Sequence, residues 1–328
     1  MVRKQALRRV GALALAWLGI GLWPCTSAAA DTVAFTIEDS RIVESSGLAR
    51  DTRADLYWTV NDSGDEGMAY GITAAGDVEG TLEFRVSPTD VEAVAMSGTR
   101  LYVGDIGDNR AVRPEVTVFY FDNPEADDST VTYRSWDLRY PDGKHDAETL
   151  LVNSSGRMFV VTKGAKGSVY AAPEQPSTTR VNELTKVGSA PALVTDGVFL
   201  PDDTRIALLT SSEVRILDAK TYAEVASAKI PPQDQAESLS LSLDGKSLLV
   251  GSEGRNSKVY EMAIPGAESA TPTPTSDGDD QTADPEATPD PEAAASSGQG
   301  RRGTFLALGL AAFVALVAGV VVARVRQA

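Results

Sequence analysis

Five short apolar runs in this chain each open on an oxygen donor. Ser46 leads "SGLARDTRADLYWTVNDSGDEG", Glu92 leads "EAVAMSGTRLYVGDIGDN" and Glu148 leads "ETLLVNSSGRMFVVTKGAKG". Asp196 leads "DGVFLPDDTRIALLTSSE" and Glu237 leads "ESLSLSLDGKSLLVGSEG". If these donors meet at one point, four carboxylates repel one another strongly in a low-dielectric interior. A hard cation relieves that repulsion, and Ca²⁺ accepts about six to eight oxygens at flexible geometry. Ser46, Glu92, Glu148, Asp196 and Glu237 are therefore the candidate metal ligands, with Ca²⁺ as the cofactor. The alternative is that the carboxylates bond backbone N–H groups of neighbouring strands around a water-filled channel.

What would bring them together is a repeat. The donors are 46, 56, 48 and 41 residues apart. After each donor strand comes a turn, a second strand and a polar loop. A third strand follows in every unit: "MAYGIT", "VTVFYF", "SVYAA", "VRILDA", "KVYEMAI". "LEFRV", "WDLRY", "LTKVG" and "ASAKI" supply a fourth strand to the first four units. Four short strands at such a period describe a propeller blade. The fifth unit stops at its third strand, and "AFTIED", Ala34–Asp39, is the candidate to complete it. The expected fold is all-β: a five-bladed β-propeller closed by the N-terminal strand, which removes free sheet edges. Six blades is the alternative, if the long interval between Glu92 and Glu148 hides extra strands.

In a propeller the first strand of each blade lines the channel, and the loop after the second strand returns to the same mouth. Those loops are polar: "NDSGDEG" (Asn61–Gly67), "GDIGDNR" (Gly104–Arg110), "TKGAKG" (Thr162–Gly167), "TSSE" (Thr210–Glu213) and "GSEGRNS" (Gly251–Ser257). Loops of this kind carry function when a rigid scaffold gathers them. Asp62, Asp105, Asp108 and Asn109 are candidates to orient water or hold a second cation, and Asn61 and Glu253 are further candidate ligand-binding residues. Arg110, Lys163, Lys166 and Arg255 are candidates to hold an anion. The same Asx–Gly loops also read as tight turns capped by their own side chains. His145, the only histidine, lies three residues before Glu148. With Asp105 and Asp108 it is the candidate catalytic group.

The blade pattern resembles the calcium-activated nucleotidase (apyrase) family. "EAVAMSGTRLYVGDIG" looks like that family's second blade and "DGVFLPDDTRIALL" like its fourth. The resemblance covers Ser46–Glu253. It implies a five-bladed propeller with a central Ca²⁺ held by one oxygen ligand from each blade, here Ser46, Glu92, Glu148 and Glu237. Asp196 stands where that family tends to have serine, which adds a charge. The family's nucleotide-contacting residues do not map onto this chain, so the activity does not carry over with the skeleton. The loops "VNDSG" and "GDIGDN" are also similar to those of a group of exported actinobacterial propeller proteins.

The ends of the chain place the propeller. Residues 1–30 carry a basic start, an apolar stretch from Val10 to Trp23 and a "TSAAA" cleavage site, which together form a secretory signal peptide. Arg8-Arg9 leaves twin-arginine export open beside the general route. Cys25 is the only cysteine, and Trp23 and Pro24 stand where a lipoprotein signal wants small residues. Cleavage after Ala30 leaves a mature chain without thiol or disulfide chemistry. The ectodomain spans 31–265. Residues 266–302 are rich in Pro, Thr and acids and form an expected extended stalk. Residues 303–323 are long and apolar enough to cross a bilayer, and 324–328 form a cytoplasmic tail. The formal charge of −16 and the absence of a basic aromatic stripe exclude a nucleic-acid partner.

Two functions fit this reading. One is a membrane-anchored extracytoplasmic module that binds a ligand or protein partner through an acidic, Ca²⁺-loaded channel mouth. The other is a Ca²⁺-dependent hydrolase of phosphoanhydrides or phosphoesters, or of lactones or esters. Sequence alone leaves the choice open.

Overall fold

The computed structural model describes residues 32–62 and 66–267. The segments expected to form a signal peptide, a stalk beyond Ala267, a membrane helix and a tail lie outside the described residues. Among those residues no helix is long and apolar enough to cross a membrane.

Among the described residues, twenty-two strands form five sheets. Blade one contains Ser45–Asp51, Leu56–Asn61, Met68–Thr73 and Val78–Phe84. Blade two contains Val91–Ser97, Arg100–Asp105, Val116–Asp122 and Arg134–Arg139. Blade three contains Ala147–Val152, Met158–Thr162, Gly167–Ala171 and Thr185–Ala190. Blade four contains Val194–Phe199, Arg205–Thr210, Glu213–Asp218 and Glu224–Lys229. Blade five contains Ala236–Leu241, Ser247–Ser252 and Ser257–Ala263, and Thr32–Ile37 completes it by pairing antiparallel with the last of these. The first strands touch in sequence around a closed ring, Ala236–Leu241 meeting Ser45–Asp51. Five blades and closure by the N-terminal strand are as the repeat predicts.

The long second interval hides no sixth blade. Its extra segment, Ser129–Val131, adds a parallel strand to the outer edge of blade one, pairing Leu82 with Ser129 and Phe84 with Val131. Asn182–Glu183 does the same for blade two. Both cover edges that would otherwise expose unpaired N–H and C=O groups.

Each blade is buried on both faces, which explains why strands such as "LYWTVN" are buried throughout rather than alternating. Alternate side chains serve opposite neighbours. Trp58 and Val60 pack with Val94, Val103 and Phe119 of blade two, whereas Tyr57 packs with Phe35, Leu249 and Val259 of blade five. Five such clusters fill the five seams between blades. Segment 32–267 therefore holds every strand and every seam of the propeller.

One irregularity recurs. In all five blades the pairing of first and second strands skips near its start: between Ser46 and Ala49, Val91 and Ala93, Ala147 and Thr149, Val194 and Asp196, and Ala236 and Ser238. A bulge at this place releases one residue from the ladder and re-aims its side chain. In blades two, three and five that residue is a glutamate.

Candidate functional site

The skips set the chemistry of one channel mouth. A cavity of ≈ 200 Å³ there is lined by Ser46, Asp62, Glu92, Asn109, Glu148, Lys163, Gln235, Glu237 and Glu253. Four of the five residues expected in the ring thus meet, joined by four expected loop residues. Glu92, Glu148 and Glu237 come from bulges of three blades. Asp62 and Lys163 come from the loops that follow second strands. Gln235 was not foreseen; it precedes the inner strand of blade five.

Asp196 is placed differently. The strand register equates Glu92, Glu148 and Glu237 with Thr195, one residue earlier. Thr195 Oγ1 donates to Ala236 O at 2.7 Å. Asp196 lies outside the mouth cavity, fully enclosed, and its carboxylate accepts from Gly197 N at 2.7 Å and Leu239 N at 2.6 Å. Burial pushes its pKa well above the ordinary value, against the pull of these donors and of Leu48 N. It serves as the alternative reading foresaw, as a tie between inner strands. Alignment by the acid hid this; alignment by the buried residues that flank it would have revealed it.

Crowding and burial disturb every acid in the mouth. Burial, then Asp62, Glu148 and Asp90, push Glu92 up to about 10. Burial lifts Glu148 to about 8 although Lys163 pulls the other way. Asp62 rises to about 6, mainly through burial and the nearby Asp90 and Glu44. Glu237 and Glu253 are raised for the same first reason. Lys163 is the one cation lining the cavity, and its ammonium contacts Glu148 Oε1. Burial works against that ammonium, but Glu148, Glu237 and Glu92 together keep its pKa raised. Glu148 Oε2 is buried and has no hydrogen-bond partner. A buried carboxylate oxygen in that condition costs more than a neutral group would.

A second cluster borders the cavity. Oxygens of Asp62, Asp90 and Glu92 all lie within 4.8 Å of one another. Asp90 was also missed in the sequence, although it stands two residues before Glu92, a spacing that shares one side of an extended chain. The loop "GDIGDN" folds against this pair. A Cβ on Gly107 would come within 2.5 Å of Asp90 Cγ and 2.7 Å of Glu92 Cγ, so any larger residue there must push these side chains aside. Gly107 N donates to Asp90 O at 3.1 Å.

The other expected residues hold loops in place. Asp105 accepts from Thr89 N and Asp90 N and pairs with Arg113 at 2.8 Å. Asp108 accepts from Val112 N and Arg113 N. Asn61 is buried, accepting from Val43 N and Glu44 N and donating to Arg41 O. Arg110, Lys166 and Arg255 are exposed outside the cavity. His145 also stands apart, with Nε2 at 2.9 Å from Asp142 Oδ1 and 3.1 Å from the Tyr170 hydroxyl. The mouth thus joins carboxylates to a single amine, a chemistry that attracts cations rather than phosphate.

The axial Ca²⁺ implied by the apyrase resemblance fits these residues poorly. Blade four presents Thr195, whose hydroxyl is committed to Ala236 O, Asp196 is committed to backbone N–H groups, and the Lys163 ammonium stands at Glu148. The donors that remain are still all oxygen, as a hard cation requires.

No family model matches the chain. No curated protein matches it. Among solved structures, the β-propeller domain of Myceliophteria thermophila Cps50 (Swd1) is similar with a TM-score of 0.40 and 14% identity, covering 74% of this chain and 72% of that one. A likeness at that level carries no argument about function, and the blade count rests on the hydrogen-bonded sheets themselves.

Proposed function

We propose that this chain is an exported, membrane-anchored β-propeller that binds a ligand or partner through a cation-loaded channel mouth, with Ca²⁺ as the cation. The carrying observation is charge imbalance in a small space: five carboxylates and one ammonium line the mouth, and Glu148 Oε2 has no partner. A cation bound only by the folded state relieves that imbalance and stabilises the fold by mass action. An exported protein meets Ca²⁺ at levels that make a modest affinity sufficient. The signal peptide and C-terminal apolar segment support the location, and the all-oxygen donor set of the mouth supports a hard cation. The hydrolase reading has less behind it, because three of the four basic residues expected to hold an anion lie outside the cavity.

The test is thermal unfolding of segment 31–267 in excess EGTA and then in millimolar Ca²⁺. The expected result is a higher midpoint with Ca²⁺, diminished in Glu92→Gln. Equal midpoints in EGTA and Ca²⁺ would remove the cation and leave a purely protein-lined polar mouth.

A further inference from the structure

The geometry points to an off-axis divalent-cation site between blades one and two, formed by Asp62, Asp90 and Glu92, with Lys163 serving as the built-in cation of the axis. The inference rests on the cation-loaded mouth proposed above and says where in that mouth the ion binds.

Two halves of the mouth differ in how their charge is met. On the blade-three side, Lys163 contacts Glu148 Oε1 and its field also reaches Glu237 and Glu92. That half carries its own positive charge on a tether. On the side of blades one and two, oxygens of Asp62, Asp90 and Glu92 gather within 4.8 Å. Lys163 pulls on Asp62 and Glu92 from a distance but makes its contact with Glu148, and Arg113, which pulls on Asp90, is turned to Asp105 at 2.8 Å and to the carbonyls of Gly107 and Asp105. Three carboxylates at such spacing match the reach of a hard ion with oxygen ligands.

Two further observations concern the cavity that borders this cluster. Glu148, 3% exposed, lines it together with Asp62 and Glu92, and its Oε2 is buried without a hydrogen-bond partner. It is close enough to Glu92 to help raise its pKa. Asn109, at the end of the "GDIGDN" loop, adds a neutral amide oxygen to the lining. The glycine of that loop leaves room for the Asp90 and Glu92 side chains where any Cβ would displace them. The motif thus has a purpose that loop closure alone does not supply: it backs a carboxylate pair.

The arrangement differs from a five-ligand axial site in a way that separates by mutation. Glu237 is an axial lining residue outside the triad, and Asp90 belongs to the triad without lining the axial cavity. Calorimetric titration of Ca²⁺ into segment 31–267 would compare the unmodified chain with Asp62→Asn, Asp90→Asn and Glu237→Gln. Each variant is near-isosteric and removes repulsion, and its midpoint in EGTA reports whether it folds. Off-axis binding predicts an affinity loss of about tenfold or more in Asp62→Asn and Asp90→Asn, and a change under about threefold in Glu237→Gln. Loss in Glu237→Gln equal to that in Asp90→Asn would overturn the off-axis site while leaving a Ca²⁺-loaded mouth standing. No binding to the unmodified chain up to about 10 mM Ca²⁺ would overturn both.

Discussion

The two mouths of the channel are built by the same five inner strands and enclose cavities of similar size, ≈ 200 and ≈ 210 Å³, yet they have opposite chemistry. The far mouth is lined by Leu48, Val94, Met96, Val152, Phe199 and Leu241, with Arg50 as its cation. Its polar groups are largely met at home. Arg50 Nη1 donates to Ser242 O at 3.1 Å, Ser97 Oγ donates to Asn153 O at 2.7 Å, and Asp203 accepts from Ser154 N at 3.0 Å. Ser240 Oγ lacks a partner there, but a neutral hydroxyl costs far less than a carboxylate. The acidic mouth leaves charge unmatched. The far mouth shows that the same strands can close a channel without crowding carboxylates.

The sharpest way to break this contrast is to remove the cation from each mouth. Lys163→Met leaves Glu148 buried beside Glu237 and Glu92 with no positive neighbour. Loss of one partner from a buried pair costs about 3–5 kcal/mol; with Lys163 30% exposed, about 2–3 is expected at pH 8. Near 2–4 °C per kcal/mol, that lowers the midpoint by roughly 4–12 °C. Adding Glu148→Gln to the variant restores most of the loss. Arg50→Met at the far mouth gives up one backbone hydrogen bond and keeps an apolar stem, so about 1 kcal/mol is expected. Equal losses at the two mouths would refute the contrast.

Much of this was legible in the sequence because closure and blade count depend on repeated strand patterns, which survive as spacing. The five donor-led runs, the third strands and the role of "AFTIED" all appear where the repeat requires them. What the spacing could not reveal was a one-residue shift. Thr195, not Asp196, is the bulged residue of blade four, and a type-based alignment of acids passes over a threonine. Asp105, Asp108 and Asn61 looked like ligands because Asx side chains that cap backbone N–H groups are indistinguishable in sequence from those that face a ligand. His145 stands near Glu148 in the chain but points to Asp142 and Tyr170 in space. Asp90 was hidden by its ordinary setting at a strand entrance.

Asp196 sharpens the comparison from inside the channel, between the two mouths. Asp196→Ala removes the acceptor for Leu239 N and Gly197 N, and buried donors without partners cost about 1–3 kcal/mol. Ca²⁺ affinity should stay within about twofold, because Asp196 lies outside the acidic cavity. Unfolding in EGTA and titration of Ca²⁺ measure the two halves separately. A stable variant that no longer binds Ca²⁺ would return Asp196 to the ring.

The dependence of stability on pH tests whether the acidic mouth is in fact unbalanced. Glu148 at about 8 and Glu92 at about 10 hold protons in the folded chain that an unfolded chain releases near 4.5. An acid whose folded pKa is raised contributes its stability fully below the unfolded pKa and loses it as pH rises through the folded one. The metal-free midpoint should therefore fall steadily from about pH 5 to pH 9, and Ca²⁺ should flatten the slope by favouring the ionised forms. The Glu92→Gln variant should flatten it without metal. A midpoint that rises over this range in EGTA would mean that these carboxylates are satisfied in the free protein.

Gly107→Ala gives the finest discrimination. The added methyl meets Asp90 Cγ and Oδ2 at 2.5 Å and Glu92 Cγ at 2.7 Å, so both side chains must shift away from it. Backbone pairing of the loop stays intact, because Gly107 N still reaches Asp90 O. Stability in EGTA should fall by about 1–3 kcal/mol, as expected when a methyl is forced into a filled site. Ca²⁺ affinity should fall several-fold, since the displaced carboxylate no longer converges with Asp62 and Glu92. At the far mouth the matching change, Gly98→Ala, meets nothing within 4 Å and should leave Ca²⁺ affinity alone, though its positive φ of 58° costs about 1 kcal/mol of stability. The pair thus separates affinity from stability: both alanines cost stability, but only the one at Gly107 weakens the ion. If Gly107→Ala binds Ca²⁺ as tightly as the unmodified chain, Asp90 is not a ligand and the ion belongs on the axis.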